Sequence, residues 1–118
     1  MPFLSEQFDS TVGQYRDRTA LVDEAGRSWT YGELGDEVNR LARRLKSEVP
    51  GDVVGILLLN SQQYLISMLS IWKAGKTAVP LNYLLPPQDL GFIIKDSGMS
   101  ALIASRFFDE AIGKIRPL

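Results

Sequence analysis

The sequence predicts an α/β fold: a partial doubly wound sheet of about three parallel strands with flanking helices, preceded by a small antiparallel hairpin. Three observations predict it. From residue 53 onward, β-prone runs and helical patterns alternate strand, helix, strand, helix, strand, helix, the order that right-handed crossovers turn into a parallel sheet. The run at 53–59, Val-Val-Gly-Ile-Leu-Leu-Leu, is apolar without alternation, as in a strand buried on both faces. Ahead of it, Ala20-Leu21-Val22 and Ser28-Trp29-Thr30 flank a turn containing Gly26, the pattern of a hairpin. A length of 118 residues fits one domain, taken as 1–118.

In chain order, residues 5–16 read as a short opening helix, with Phe8, Val12 and Tyr15 on one face. After the hairpin, Thr30 followed by Glu33 forms a capping box: the hydroxyl accepts from the N3 amide and the carboxylate from the cap amide. Leu34, Val38, Leu41, Ala42 and Leu45 then make a stripe of period 3.6. Acidic residues lead this helix, and Arg40, Arg43, Arg44 and Lys46 trail it, as its dipole favours. Asp36 and Arg40 are expected to pair at i,i+4, and the basic cluster reads as a solvated helix face. Pro50-Gly51 ends the helix.

Asn60 or Ser61 can cap the next helix, 62–74, with Gly75 just past its end. Its Tyr64, Leu65, Ile66, Met68, Leu69, Ile71 and Trp72 cover most of the circumference, so burial on more than one side is expected. Residues 77–81 read as the second strand, with Pro80 near its end, where a missing donor matters least. Pro86-Pro87 opens a helix through 95 with Leu90, Ile93 and Ile94 inward, and Gly98 closes it. Residues 101–104 form the third strand. Residues 106–115 form a last helix whose inner face is Phe107, Phe108, Ala111, Ile112 and Ile115.

Composition narrows the chemistry. Thirteen basic and 14 acidic residues leave a net charge of −1, so no grip on nucleic acid or on an anionic membrane is expected. With no cysteine and no histidine, catalytic triads, Cys-His pairs and Cys/His zinc centres are excluded within these 118 residues. The opening MPFLSEQFDS has neither a basic nor an apolar signal region, and no apolar run approaches membrane-spanning length. The expected compartment is the cytoplasm.

In a sheet of this type, ligands sit beyond the carboxyl ends of the strands. The residues expected there are Asn60-Ser61, Asn82-Tyr83 and Ser105-Arg106. Neither G-x-G-x-x-G nor G-x-x-x-x-G-K-[ST] occurs, so both common phosphate cradles are missing. Asn60-Ser61 at a helix start could meet an anion, but a plain cap is the simpler reading, as a turn is for Asn82. No two carboxylates form a local acid/base pair, and Trp29 and Trp72 read as core or interface residues. No catalytic, cofactor-binding or metal-binding residue is assigned.

Four segments in order do carry a resemblance. Trp29-Thr30-Tyr31-Gly32-Glu33-Leu34 resembles the TYxEL motif that opens the first long helix of adenylate-forming (AMP-binding) enzymes. Gly51-Asp52-Val53-Val54-Gly55-Ile56 stands where that family has its GDRVAI strand. Trp72-Lys73-Ala74-Gly75, running on to Ala78-Val79-Pro80-Leu81-Asn82, is similar to its KAG…VPLN motif. Pro87-Gln88-Asp89-Leu90 with Asp96-Ser97-Gly98 is similar to its P.EL…I..DSG segment. Val79-Pro80-Leu81-Asn82 looks most like the fatty acyl-CoA ligase branch, since peptide-synthetase adenylation domains more often read YVPID.

The resemblance implies an N-terminal segment of a larger enzyme. That enzyme joins a carboxylate to the α-phosphate of ATP, with magnesium, and passes the acyl group to a thiol, usually that of CoA. The family's phosphate loop, acidic ATP motifs, hinge and C-terminal lysine have no counterpart in this sequence, so these 118 residues are expected to be inactive alone. ATP, Mg and CoA are implied for the parent and none for this segment. The expected partners are the remainder of the parent enzyme and, for the isolated segment, a second copy. Two other readings stand beside this one: a stand-alone interaction domain without catalysis, and half of a dinucleotide-binding oxidoreductase. The turn Leu59-Asn60-Ser61-Gln62 lacks the glycines the last of these needs.

Overall fold

A computed structural model describes residues 3–116; the first two and last two positions of the expected domain lie outside the described residues. Helix α1 (Leu4–Gln14) is followed by β1 (Thr19–Val22) and β2 (Ser28–Thr30), which pair antiparallel. Then come α2 (Tyr31–Glu48), β3 (Val53–Leu57), α3 (Gln62–Lys73), β4 (Thr77–Pro80), α4 (Pro87–Ser97) and β5 (Ala101–Ala104). A single 3-10 turn (Arg106–Phe108) leads into α5 (Asp109–Ile115). The three later strands form a parallel sheet in the order β4-β3-β5, the architecture that the alternating pattern predicts.

β3 occupies the centre and explains its own lack of alternation. Val54, Ile56 and Leu58 point to one face, where Leu45 and Ile71 complete a buried cluster. Leu57 points to the other, against Leu81, Leu90 and Phe108. The strand stops at Leu57, short of the expected residue 59, because its neighbours run out: Ile56 pairs with Pro80 and Leu57 with Ala104. Leu58 stays buried beyond the ladder, while Leu59 turns outward.

The helix ends follow their local chemistry. The capping box is present, with Glu33 N–H donating to Thr30 Oγ1 (3.1 Å) and Thr30 N–H donating to Glu33 Oε1 (3.0 Å). At the end of α3, Lys76 N–H donates to Ile71 C=O and Gly75 N–H to Trp72 C=O. This double closure requires the left-handed backbone that Gly75 adopts at φ 75°. Gly98 ends α4 in the same region of φ. α2 and α3 pack together around the small, buried Ser70, whose hydroxyl lies within reach of the Ile66 and Val38 carbonyls.

Three expectations are corrected. Asp36 does not pair with Arg40: it takes both oxygens to Arg16 (2.9 and 3.0 Å), which reaches over from the end of α1, and Arg40 turns to Glu37 at 2.6 Å. α3 is buried on more than one side as expected, against α1, α2 and the sheet, while Leu65 and Trp72 remain about two-fifths exposed. The last helix does not begin at Arg106, because the 3-10 turn comes first. That turn advances about 120° per residue instead of 100°, so Phe107 and Phe108 leave the turn in different directions although their rings still meet edge to face at 4.9 Å. Phe108 is buried, whereas Phe107, expected inside, is 72% exposed.

Candidate functional site

Beyond the carboxyl ends of β3 and β5, where ligands sit in sheets of this class, lies a shallow cleft of about 290 Å³. Leu59, Asn60 and Ser61 form one wall, Ser105 another, and the hairpin turn Asp23–Ala25 overhangs it. The turn is held firmly. Asp23 Oδ1 accepts from the Ala25 and Arg27 amides (3.0 and 2.9 Å), and Oδ2 accepts from Trp29 Nε1 (3.1 Å). Arg27 lies 3.8 Å over the Trp29 ring and reaches Glu33 Oε2 at 3.1 Å, which ties the turn to the start of α2.

This wiring sets the electrostatics. The indole N–H of Trp29 and then the Arg27 amide hold the Asp23 carboxyl below its ordinary range. The Thr30 amide and then the Arg27 side chain do the same for Glu33. Both acids are pushed toward the charged form, the direction opposite to that of a proton donor at neutral pH. Trp29, Thr30 and Glu33 therefore fix the hairpin to α2.

The remaining residues at the strand ends are occupied in the same structural way. Ser61, not Asn60, is the cap of α3: its hydroxyl accepts from Tyr64 N–H (3.3 Å) and donates to Leu59 C=O (3.0 Å). Asn82 makes a turn, its Oδ1 accepting from Leu84 N–H and its carbonyl from Leu85 N–H. Tyr83 leans on Phe108 at 5.7 Å between ring centres. Asn60 and Arg106 are exposed. The structure brings Asn60, Ser61 and Ser105 to one cleft and leaves Asn82, Tyr83 and Arg106 outside its lining. For a magnesium nucleotide this is a poor donor set. Of the two acids in its lining, Asp23 has both oxygens bonded within the turn, which leaves Glu24, and among the described residues no three His, Cys, Asp or Glu side chains gather as metal ligands.

Sequence reasoning missed two lysine contacts. Lys73, at the end of α3, bonds Asp9 Oδ1 of α1 (2.9 Å) and Asn39 Oδ1 of α2, joining three helices. Lys76 Nζ donates to the Val49 and Gly51 carbonyls (2.9 and 2.5 Å), stapling the loop after α2 to the start of β4. The two lysines bracket Ala74-Gly75, so the one available signal was the Lys-Ala-Gly-Lys string itself.

Residues 8–117 match the family described as AMP-binding enzyme. The chain belongs to that family. Within it, the chain is 41% identical over 98 residues to surfactin synthase subunit 2 of Bacillus subtilis (strain 168), covering 81% of this chain and 3% of that protein. Its fold is that of the N-terminal domain of FACL13 from Mycobacterium tuberculosis, at a TM-score of 0.93 and 26% identity, over 100% of this chain and 30% of that one. It also matches the anthranilate CoA ligase AuaEII, solved with anthranoyl-AMP, at a TM-score of 0.87 and 29% identity, over 96% of this chain and 22% of that one. The chain is thus an N-terminal segment of that family of adenylate-forming enzymes and spans a small fraction of each relative. No helix among the described residues is long and apolar enough to cross a membrane.

Proposed function

We propose that the AMP-binding segment is the N-terminal scaffold of a cytoplasmic, ATP- and magnesium-dependent acyl-CoA synthetase. The parent converts a carboxylate and ATP to an acyl-adenylate and pyrophosphate, then transfers the acyl group to the thiol of CoA. The carrying observation is the family match over 8–117, read with the jobs its motif residues do: Thr30 and Glu33 cap a helix and Gly75 ends one. Val79-Pro80-Leu81-Asn82 and the close fit to the anthranilate CoA ligase AuaEII support the CoA-ligase branch. The segment contributes architecture and the rest of the parent contributes the chemistry. The test is carboxylate-dependent ATP–pyrophosphate exchange by the product of the whole reading frame that contains residues 1–118, with no exchange by the 118 residues alone. Exchange by the segment alone, or none by the whole product with any of a panel of acids, overturns the reading.

The 41% identity to a surfactin synthase subunit favours a second reading, in which the parent is a peptide-synthetase adenylation unit. The acyl group then goes to a protein-bound thiol. CoA consumption during turnover supports the first reading; adenylate formation without acyl-CoA supports the second.

Separated from the parent, the segment pairs with a second copy through the face that the rest of the enzyme covers. β4 and β5 each have one side unpaired among the described strands, and Leu84 and Phe107 stand exposed near them. Light scattering at micromolar concentration should report a dimer or larger, with Trp72 or the Phe107-Phe108 pair near the contact. A stable monomer that binds no hydrophobic dye refutes this.

A further inference from the structure

The basic stretch of α2 is more than a solvated face, because part of it borders a depression of about 480 Å³ between α2 and α3. Asp36, Asn39, Arg40, Arg43 and Lys46 recur at three- and four-residue steps along α2, and Lys73 closes the depression from α3. Ala42, buried and small, forms the floor. Four cationic groups thus surround one carboxylate, Asp36, which Arg16 already neutralises with a two-oxygen contact. Arg40 has Glu37 and Lys73 has Asp9, whereas Arg43 and Lys46 make no ion pair among the described residues. A concave, net-cationic patch of this size on a chain of net charge −1 has the dimensions of a small-molecule site.

The depression is separate from the carboxyl-end cleft. Ser61 lies at that cleft and Lys73 ends the same helix, about 18 Å of helical rise away. We propose that the depression binds a compact, multiply charged phosphate-bearing anion, held by Arg40, Arg43, Lys46 and Lys73 away from the strand ends. Arg43 offers a planar fork suited to phosphate oxygens, Lys46 and Lys73 act as point charges, and Asn39 adds a side-chain amide at the rim. The inference is independent of which reaction the parent performs.

The test is calorimetric titration of the 118-residue chain with tripolyphosphate at low salt, with orthophosphate as the weaker comparison. Saturable binding of one ion per chain is expected, weakening as salt rises. Arg43→Gln with Lys46→Gln should weaken it by about tenfold or more, while Arg44→Gln, on the same helix but outside the lining, should leave it within about twofold. Amide NMR shifts of the wild type on adding tripolyphosphate should concentrate at 39–46 and 73, a readout independent of how the variants fold. Absence of saturable binding, or equal loss in Arg44→Gln, shows diffuse attraction and overturns the site. Binding of an acidic peptide in preference to tripolyphosphate also overturns it, in favour of a protein-docking surface.

Discussion

On one face of β3, Val54, Ile56 and Leu58 lie beneath α2 and α3, with α1 packed against both helices. On the other, Leu57 meets Leu81, Leu90 and Phe108 beneath α4 and the seven-residue α5. The first face is tied by polar contacts that cross between elements: Arg16 to Asp36, Lys73 to Asp9 and Asn39, Ser70 to the Val38 carbonyl. The second has few such ties, no side-chain cap on α4 or α5, and Phe92 and Phe107 turned to solvent. One strand is therefore buried by two layers of unequal completeness, and the incomplete layer is the one expected to depend on additional chain.

Core truncation should expose this inequality most strongly. Ile71→Ala, at a fully buried position on the closed face, should cost about 4 kcal/mol, whereas Ile112→Ala, half-buried on the open face, should cost less than half as much. Urea midpoints at unchanged slope measure both. Equal losses would mean that the open face is as well packed as the closed one.

Adding a methyl should discriminate next. A Cβ at Gly35 would lie 2.8 Å from Cγ1 of Val12, a stiff side chain between α1 and α2. A Cβ at Gly55 would lie 2.6 Å from Sδ of Met99, which is flexible and can swing into the open side. Gly35→Ala should cost about 2 kcal/mol after its gain in helix propensity, and Gly55→Ala about 1. Thermal melting separates them, and a reversed order breaks the comparison.

At the capping box, Thr30→Ala should cost about 1 kcal/mol, while Ser47→Ala, late in α2 and exposed, should cost much less. Equal denaturant midpoints for Thr30→Ala and wild type would show that α2 does not lean on its cap.

The smallest effect is one of pH. Asp23 and Glu33 are both held below their ordinary values of 3.8 and 4.5, so their contribution is present above those values and is lost as pH falls through the lower folded-state ones. Asp23→Asn should flatten the acid limb of stability below about pH 4.5, and Ile112→Ala should leave its shape unchanged. A wild-type acid limb in Asp23→Asn would remove Asp23 from the account.

The features legible in the sequence were those that local chemistry decides. Thr30 with Glu33, Gly26, Gly75 and Gly98 each act within a few residues of themselves, and the unalternating run at 53–59 announced a central strand. Contacts between distant elements were not legible: Arg16 outcompetes Arg40 for Asp36 only because α1 docks beside α2. The inward reading of Phe107 failed for a different reason: adjacent residues of a helical turn point about 100–120° apart, so with Phe108 in the core Phe107 packs edge to face on it from the solvent side. Of the cleft at the strand ends, the sequence supplied the residues, but the overhang of the hairpin turn came only with the structure.

The strand order β4-β3-β5 also has a consequence for synthesis on the ribosome. The cluster on the closed face draws Leu41, Leu45, Val49, Val54, Ile56, Leu58, Tyr64, Met68, Ile71, Ala74 and Ala78 from one stretch, and only Ala101 and Ile103 come from later chain. That stretch leaves the exit tunnel while α4 and β5 are still inside it, so the nascent chain can close one hydrophobic layer early and hold the other edge of β3 vacant for β5. Arrest peptides that register the pull of a folding domain should therefore release at two chain lengths, the first soon after residue 81 has emerged and the second only after β5 and α5 follow.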